Sequence, residues 1–92
     1  MSYSIYILHS RKLNHYYIGC ASDPEKRLVR HNAGATPSTK SGRPWKIVYT
    51  EFFPSKTEAL KREFYLKRMK SSIYLENLIS KSQTYQGEIP IG

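Results

Sequence analysis

Ninety-two residues make one small domain with a modest core and leave no room for a second domain or a deep cofactor cavity. With 39% hydrophobic and 24% charged residues the chain is globular in composition, which excludes a protein disordered throughout. Fifteen Lys and Arg against seven Asp and Glu leave a net charge of +8, so polyanions are the expected partners, nucleic acid before anionic membrane. The lone cysteine, Cys20, rules out an internal disulfide and a cysteine-held structural zinc. No apolar run reaches the roughly 18 residues a membrane span needs, and no leader follows Met1. A cytoplasmic protein without a membrane partner or small-molecule cofactor is therefore expected, and its oligomeric state is left open.

In chain order, Tyr3 to Leu8 is rich in β-branched and aromatic residues and predicts a first strand. Ser10 to Asn14 is polar and turn-like, and His15 to Cys20 predicts a second strand, paired with the first as an antiparallel hairpin. Ser22-Asp23-Pro24-Glu25 has the form of a capping box with an early proline, opening a helix through His31 that stops before Gly34. The stretch from Gly34 to Pro44 is a loop by composition, expected to be mobile, and carries the basic residues Lys40 and Arg43. Trp45 to Phe52 predicts a third strand, with Trp45 in the core. Ser55-Lys56-Thr57-Glu58 repeats the capping pattern and opens the longest helix, to about Lys70. Ser71 or Ser72 can cap a further helix bearing Ile73, Leu75, Leu78 and Ile79. The domain is expected to span residues 1–80, with 81–92 a frayed tail. The fold class is α/β (α+β): a small three-stranded, mainly antiparallel sheet flanked by about three helices, in the order ββαβαα.

The long helix holds an anomaly. At about 100° per residue, Glu63 falls roughly 40° from Ala59, between Ala59 and Leu60 and near the middle of an arc that also holds Phe64 and Leu66. A carboxylate taken from water needs compensation. Lys67, four residues on, offers an ion pair; a bound divalent cation offers another solution. Periodicity does not choose between them.

Ser4-Ile5-Tyr6, then ten residues, then Tyr17-Ile18-Gly19 resembles the paired tripeptides of the GIY-YIG nuclease family. Arg27 on the first helix, His31 one turn later, and Glu63 on the helix after the third strand also fall where that family has its functional residues. The resemblance covers residues 3 to about 80 and is nearest to the short, stand-alone bacterial members. It implies a metal-dependent endonuclease that hydrolyses nucleic-acid phosphodiester bonds by in-line attack of water, on DNA ahead of RNA, possible roles being repair or recombination. It further implies one Mg²⁺ or Mn²⁺ ion held by Glu63, completed by waters and phosphate oxygens. Arg27 resembles the catalytic arginine, whose guanidinium suits a phosphate gathering charge. Tyr6 and Tyr17 resemble the signature tyrosines, one of which deprotonates or orients the attacking water. A free phenol has a pKa near 10, so that role requires a nearby cation. His31 shares the helix face of Arg27 and can assist proton transfer or lie idle on the surface. Lys40, Arg43 and Lys67 are the candidate nucleic-acid contacts.

The sequence departs from the family pattern in two places. Ser4 replaces the first glycine, and Asn77 alone is available for the asparagine that many members carry after the glutamate. Family nucleases also commonly carry a second DNA-binding module, for which this length has no room. The alternative reading is a catalytically weak or inactive basic module that binds DNA or RNA. An adaptor delivering the domain to another protein is a third. The set of Tyr6, Tyr17, Arg27 and Glu63 favours the enzyme, because binding alone does not call for it.

Overall fold

The computed structural model describes residues 2–69 and 71–88, with side chains as far as residue 81. Three strands, β1 (Tyr3–Ser10), β2 (His15–Ala21) and β3 (Trp45–Phe53), form one antiparallel sheet in the order β2-β1-β3. The central position of β1 explains its unbroken apolar run: Ile5, Tyr6, Ile7 and Leu8 are all fully buried because both faces of that strand are covered. The hairpin closes at Asn14, in the left-handed region at φ 54°, while Ser10 Oγ accepts from Leu13 N at 3.1 Å. Tyr6 lies opposite Gly19, and Leu8 opposite Tyr17.

Helices cover both faces. On one, α1 (Pro24–Asn32) brings Leu28 against Tyr6, Leu8, Ala21 and Trp45. On the other, α3 (Lys56–Met69) and α4 (Ser72–Glu88) bury Leu66, Leu75 and Ile79 against Ile5, Ile7 and Ile18. Burying each such large apolar side chain stabilises the fold by about 1.5–3 kcal/mol. Arg62 locks α3 to β3 through two bonds to Glu51, at 2.8 and 2.9 Å, and Tyr49 donates to the same carboxylate. Burial opposes ionisation of Glu51, but the hydrogen bonds from Arg62 and Tyr49 win and hold the carboxyl below its usual range.

Several expectations need correction. The cap of α1 is Asp23, whose Oδ1 accepts from Lys26 N at 3.3 Å; Pro24 then takes the first helical position, and Ser22 stands outside the cap. Ser55 and Ser71 cap α3 and α4, accepting from Glu58 N and Tyr74 N. The segment expected to be a mobile loop contains a four-residue helix, α2 (Pro37–Lys40), making four helices in all among the described residues. It is anchored from inside: Thr39 is 1% exposed, and Trp45 Nε1 donates to its carbonyl at 2.7 Å. The asparagine before it, Asn32, brackets the backbone of Trp45 with two further bonds. The backbone of α4 continues to Glu88, whereas the tail expected after Lys81 otherwise falls on side chains and residues outside those described.

The inward face of α3 also differs from the expected arc. Ala59 and Leu66 are buried, with Arg62 and Glu63 half-buried between them, whereas Leu60 and Phe64 face solvent at 44% and 64% exposure. The inward arc is narrower than periodicity predicted and is centred near Leu66 and Ala59, with the Arg62–Glu51 pair on one of its flanks. Glu63 therefore lies on the buried side, as its anomaly suggested, but with different neighbours.

Candidate active site

Tyr6 stands at the centre of β1 with its ring laid across Gly19 of β2. A side chain at 19 would overlap the hydroxyl end of that ring, and its methyl would meet Cε1 at 2.8 Å. The glycine is thus required by a close approach and not by backbone angles. It lets the phenol reach over the outer strand of the sheet.

There the hydroxyl meets His31. Tyr6 Oη lies 3.1 Å from His31 Nε2, and His31 Nδ1 lies 2.8 Å from Thr39 Oγ1. Thr39 spends its one hydroxyl proton on the Thr36 carbonyl at 3.2 Å, so its oxygen can only accept from the imidazole. The proton of a neutral His31 therefore sits on Nδ1, leaving Nε2 as acceptor and Tyr6 as donor. Burial, with Arg27 and Arg30 adding to it, holds the His31 pKa below its ordinary value, in keeping with that neutral form. The four groups make a directed chain from phenol to imidazole to threonine to backbone. His31 is not a surface residue; it is 3% exposed.

Tyr17, half-buried on β2, packs edge-on against the His31 ring at 4.8 Å between centroids. With Arg27, Arg30, His31 and Thr36 it lines a cleft of about 280 Å³. Arg27 and Arg30, three residues apart on α1, are both exposed, so two guanidinium groups face this opening. Burial raises the Tyr6 phenol above its ordinary value, as do the charges of Tyr17 and Glu63, while Arg27 pulls it down without prevailing. The sequence asked for a cation to make Tyr6 acidic; Arg27 alone does not do so.

Glu63 approaches from α3, across the sheet edge. Its charge is felt both at Tyr6 and at the Cys20 thiol, which burial raises first and Glu63 raises further. The carboxylate is 18% exposed and pairs with Lys67 Nζ at 2.8 Å. So the ion pair that periodicity offered is formed, while the remaining carboxylate oxygen has no hydrogen-bond or ion-pair partner among the described residues. No group of three or more His, Cys, Asp or Glu able to hold a metal occurs among the described residues. The donor set suits a hard cation that keeps most of its waters, and lacks the nitrogen and sulfur ligands of a zinc site.

Of the other candidates, Lys40 and Arg43 are exposed around α2, where Arg43 Nε donates to the Lys40 carbonyl at 2.8 Å, and neither lines the cleft. Asn77 is exposed on α4. Sequence reasoning missed Arg30, although its spacing from Arg27 signals a shared face. It also missed Thr36 and Thr39, for which no local pattern exists.

Residues 2–82 match the family model described as the GIY-YIG catalytic domain. The chain belongs to the GIY-YIG family. This GIY-YIG domain is 39% identical over 89 residues to UPF0213 protein CPE1444 of Clostridium perfringens, covering 92% of this chain and 95% of that one. It is 35% identical over 88 residues to structure-specific endonuclease subunit slx1 of Schizosaccharomyces pombe, covering 88% of this chain but 32% of that protein. In solution structure, UPF0213 protein BH0048 of Bacillus halodurans shares the fold at TM-score 0.55 and 33% identity, covering 87% of this chain and 84% of its own. The GIY-YIG assignment, made on the nuclease domain and on short stand-alone relatives, agrees with the resemblance read from the two tripeptides. It makes this chain a nuclease domain by family, with nucleic acid as its substrate class. No helix among the described residues is long and apolar enough to cross a membrane.

Proposed function

We propose that this domain is a metal-dependent endonuclease that hydrolyses DNA phosphodiester bonds, with Tyr6, His31, Arg27 and Glu63 as its working residues. The observation that carries the reading is the directed hydrogen-bond chain ending on the Tyr6 hydroxyl beside a cleft lined by Arg27 and Arg30. Any buried tyrosine hydroxyl needs one partner; here that partner is a histidine held by Thr39 in the tautomer that can take the phenol's proton.

The chain's own groups perform the following work. Arg27, with Arg30 beside it, binds the non-bridging oxygens of the phosphate and stabilises the charge they gain in the transition state. Tyr6 stays a neutral phenol at neutral pH, in keeping with its raised pKa. Tyr6 is fully enclosed, so taking a proton from the attacking water, as its own proton passes to Nε2 of His31, requires the cleft to open onto its hydroxyl when the phosphate binds. Thr39 holds the imidazole in the tautomer that can receive it. Tyr17 braces the histidine ring from the side. Glu63 would hold Mg²⁺ or Mn²⁺ through its free oxygen, with Lys67 steadying the other. When bound, such an ion polarises the phosphate and stabilises the leaving oxygen. The name of the Schizosaccharomyces pombe relative, a structure-specific endonuclease subunit, supports a nucleic-acid substrate chosen by its structure; a role in DNA repair or recombination is part of this proposal alone.

One observation favours the alternative of a catalytically weak basic binding module: Lys67 already neutralises Glu63. A nicking assay on branched, single-stranded and duplex DNA, with Mg²⁺ or Mn²⁺ against EDTA, decides. Cleavage in the metal alone is expected. Binding without cleavage on every substrate leaves the binding module, and equal cleavage in EDTA removes the ion from the account.

A further inference from the structure

A groove of about 450 Å³ runs along the outer side of β2, between that strand and the junction of α3 with α4. Because β2 pairs only with β1, its outer edge presents backbone N–H and C=O groups to whatever enters. The walls are apolar, formed by Tyr16, Ile18, Leu66 and Leu75, and Asn14 and Ser72 add polar groups to the lining. His9 packs on the Tyr16 ring at 4.9 Å between centroids, which holds that ring in place.

Two residues connect this groove to the candidate active site. Tyr17 lines both openings, and Lys67, which lines the groove, is the ion-pair partner of Glu63. We propose, resting on the nuclease reading above, that the groove receives one unpaired nucleotide of the cleaved strand, next to the scissile phosphate. Its volume lies within the range of about 300–1,000 Å³ typical of small-ligand pockets. An aromatic wall suits the face of a base, while edge amides, Asn14 and Ser72 suit the base's polar rim. Lys67 and the net charge of +8 suit the flanking phosphates. A base stacked inside an intact duplex cannot reach a pocket against the protein's sheet edge, so the groove selects DNA with an unpaired or displaced base at the cut. A peptide strand added to β2 is the competing occupant; it would make no use of the link to Glu63.

The test places 2-aminopurine in turn at each unpaired position around the branch of a flap oligonucleotide and follows its fluorescence on titration with the intact protein. Quenching is expected at one position beside the cut. Ser72→Trp, an exposed change that fills the groove, should abolish it. Tyr16→Leu keeps an apolar wall but loses the ring, and should weaken binding roughly 5- to 100-fold. An abasic residue at the quenched position should slow cleavage to match. Quenching at no position, or quenching that survives Ser72→Trp, overturns the proposal and leaves the β2 edge to a peptide. If no substrate is cut yet the quench appears and responds to Ser72→Trp, the groove assignment stands and the nuclease reading alone fails.

Discussion

Substituting Gly19 by alanine tests how the phenol is placed. The added methyl would lie 2.8 Å from Cε1 of Tyr6, and nearer still to the hydroxyl end, whereas ordinary contact begins near 3.4 Å. Tyr6 is fully buried and cannot swing into solvent. Overpacking of this kind costs about 1–3 kcal/mol. Replacing a strand glycine with alanine returns roughly 0.5–1 kcal/mol through lost chain entropy. A net loss of about 1 kcal/mol is therefore expected in urea denaturation. The larger effect falls on the rate. To clear the methyl, the hydroxyl must shift by about 1 Å, away from its 3.1 Å contact with His31, and such a misplacement costs on the order of 100-fold. In a Tyr6→Leu background the methyl meets no ring, so Gly19→Ala should be neutral or mildly stabilising there, giving a coupling of about 1–2 kcal/mol. Unchanged stability and single-turnover cleavage in Gly19→Ala, or equal effects in both backgrounds, would refute the reasoning.

Thr39→Val removes the acceptor for His31 Nδ1–H and leaves a buried donor unpaired, so thermal or urea melts should show a loss of about 1–3 kcal/mol. Cleavage should fall with it, because the imidazole loses the tautomer that accepts from Tyr6. The His31 pKa is lowered in the fold, so an unfolded chain takes up its proton first. Stability from this group should be complete above about pH 6.5 and decline as pH falls below that value towards the folded pKa. Cleavage should hold through that window and fall only as pH drops through the lowered pKa of His31 in the fold, and His31→Gln should flatten the stability slope. Glu51→Gln leaves Arg62 and Tyr49 without their shared carboxylate and should cost about 1–3 kcal/mol by the same melts. Tyr49, pushed up to about 12 by burial and by Glu51, contributes stability below pH 10 that disappears as pH rises towards 12. Glu51→Gln should shrink that alkaline loss, because the Tyr49 pKa in the fold then lies nearer its ordinary value.

Much of this was legible before any coordinates. Two strands rich in aromatic and aliphatic residues, joined by a short polar turn, announced the antiparallel hairpin, while the register that sets Tyr6 opposite Gly19 did not show in the sequence. The helix starts were marked by Ser55 and by Ser71 or Ser72, of which Ser71 caps, and near Ser22 the cap was displaced by a single residue, to Asp23. Glu63 was conspicuous because a charge recurred at a core-facing spacing. What stayed hidden depends on contacts distant in sequence. The burial of His31 is decided by Thr39, eight residues on, and by Tyr6, twenty-five residues back. The segment around α2 looked like a loop because its anchors are a backbone carbonyl, one threonine hydroxyl and the indole of Trp45. Periodicity also treated Leu60 and Phe64 as core, since it does not register that Arg62 turns inward to pair with Glu51 of β3.

Single-turnover cleavage by Glu63→Gln, Arg27→Ala and the double variant, each checked for fold by circular dichroism, bears most directly on the claim that these groups form one catalytic unit. Each single change is predicted to slow cleavage by at least about 100-fold, and the double variant by little more than either one. A folded variant at either position that cuts at the wild-type rate, or losses that simply multiply in the double, would contradict a shared site.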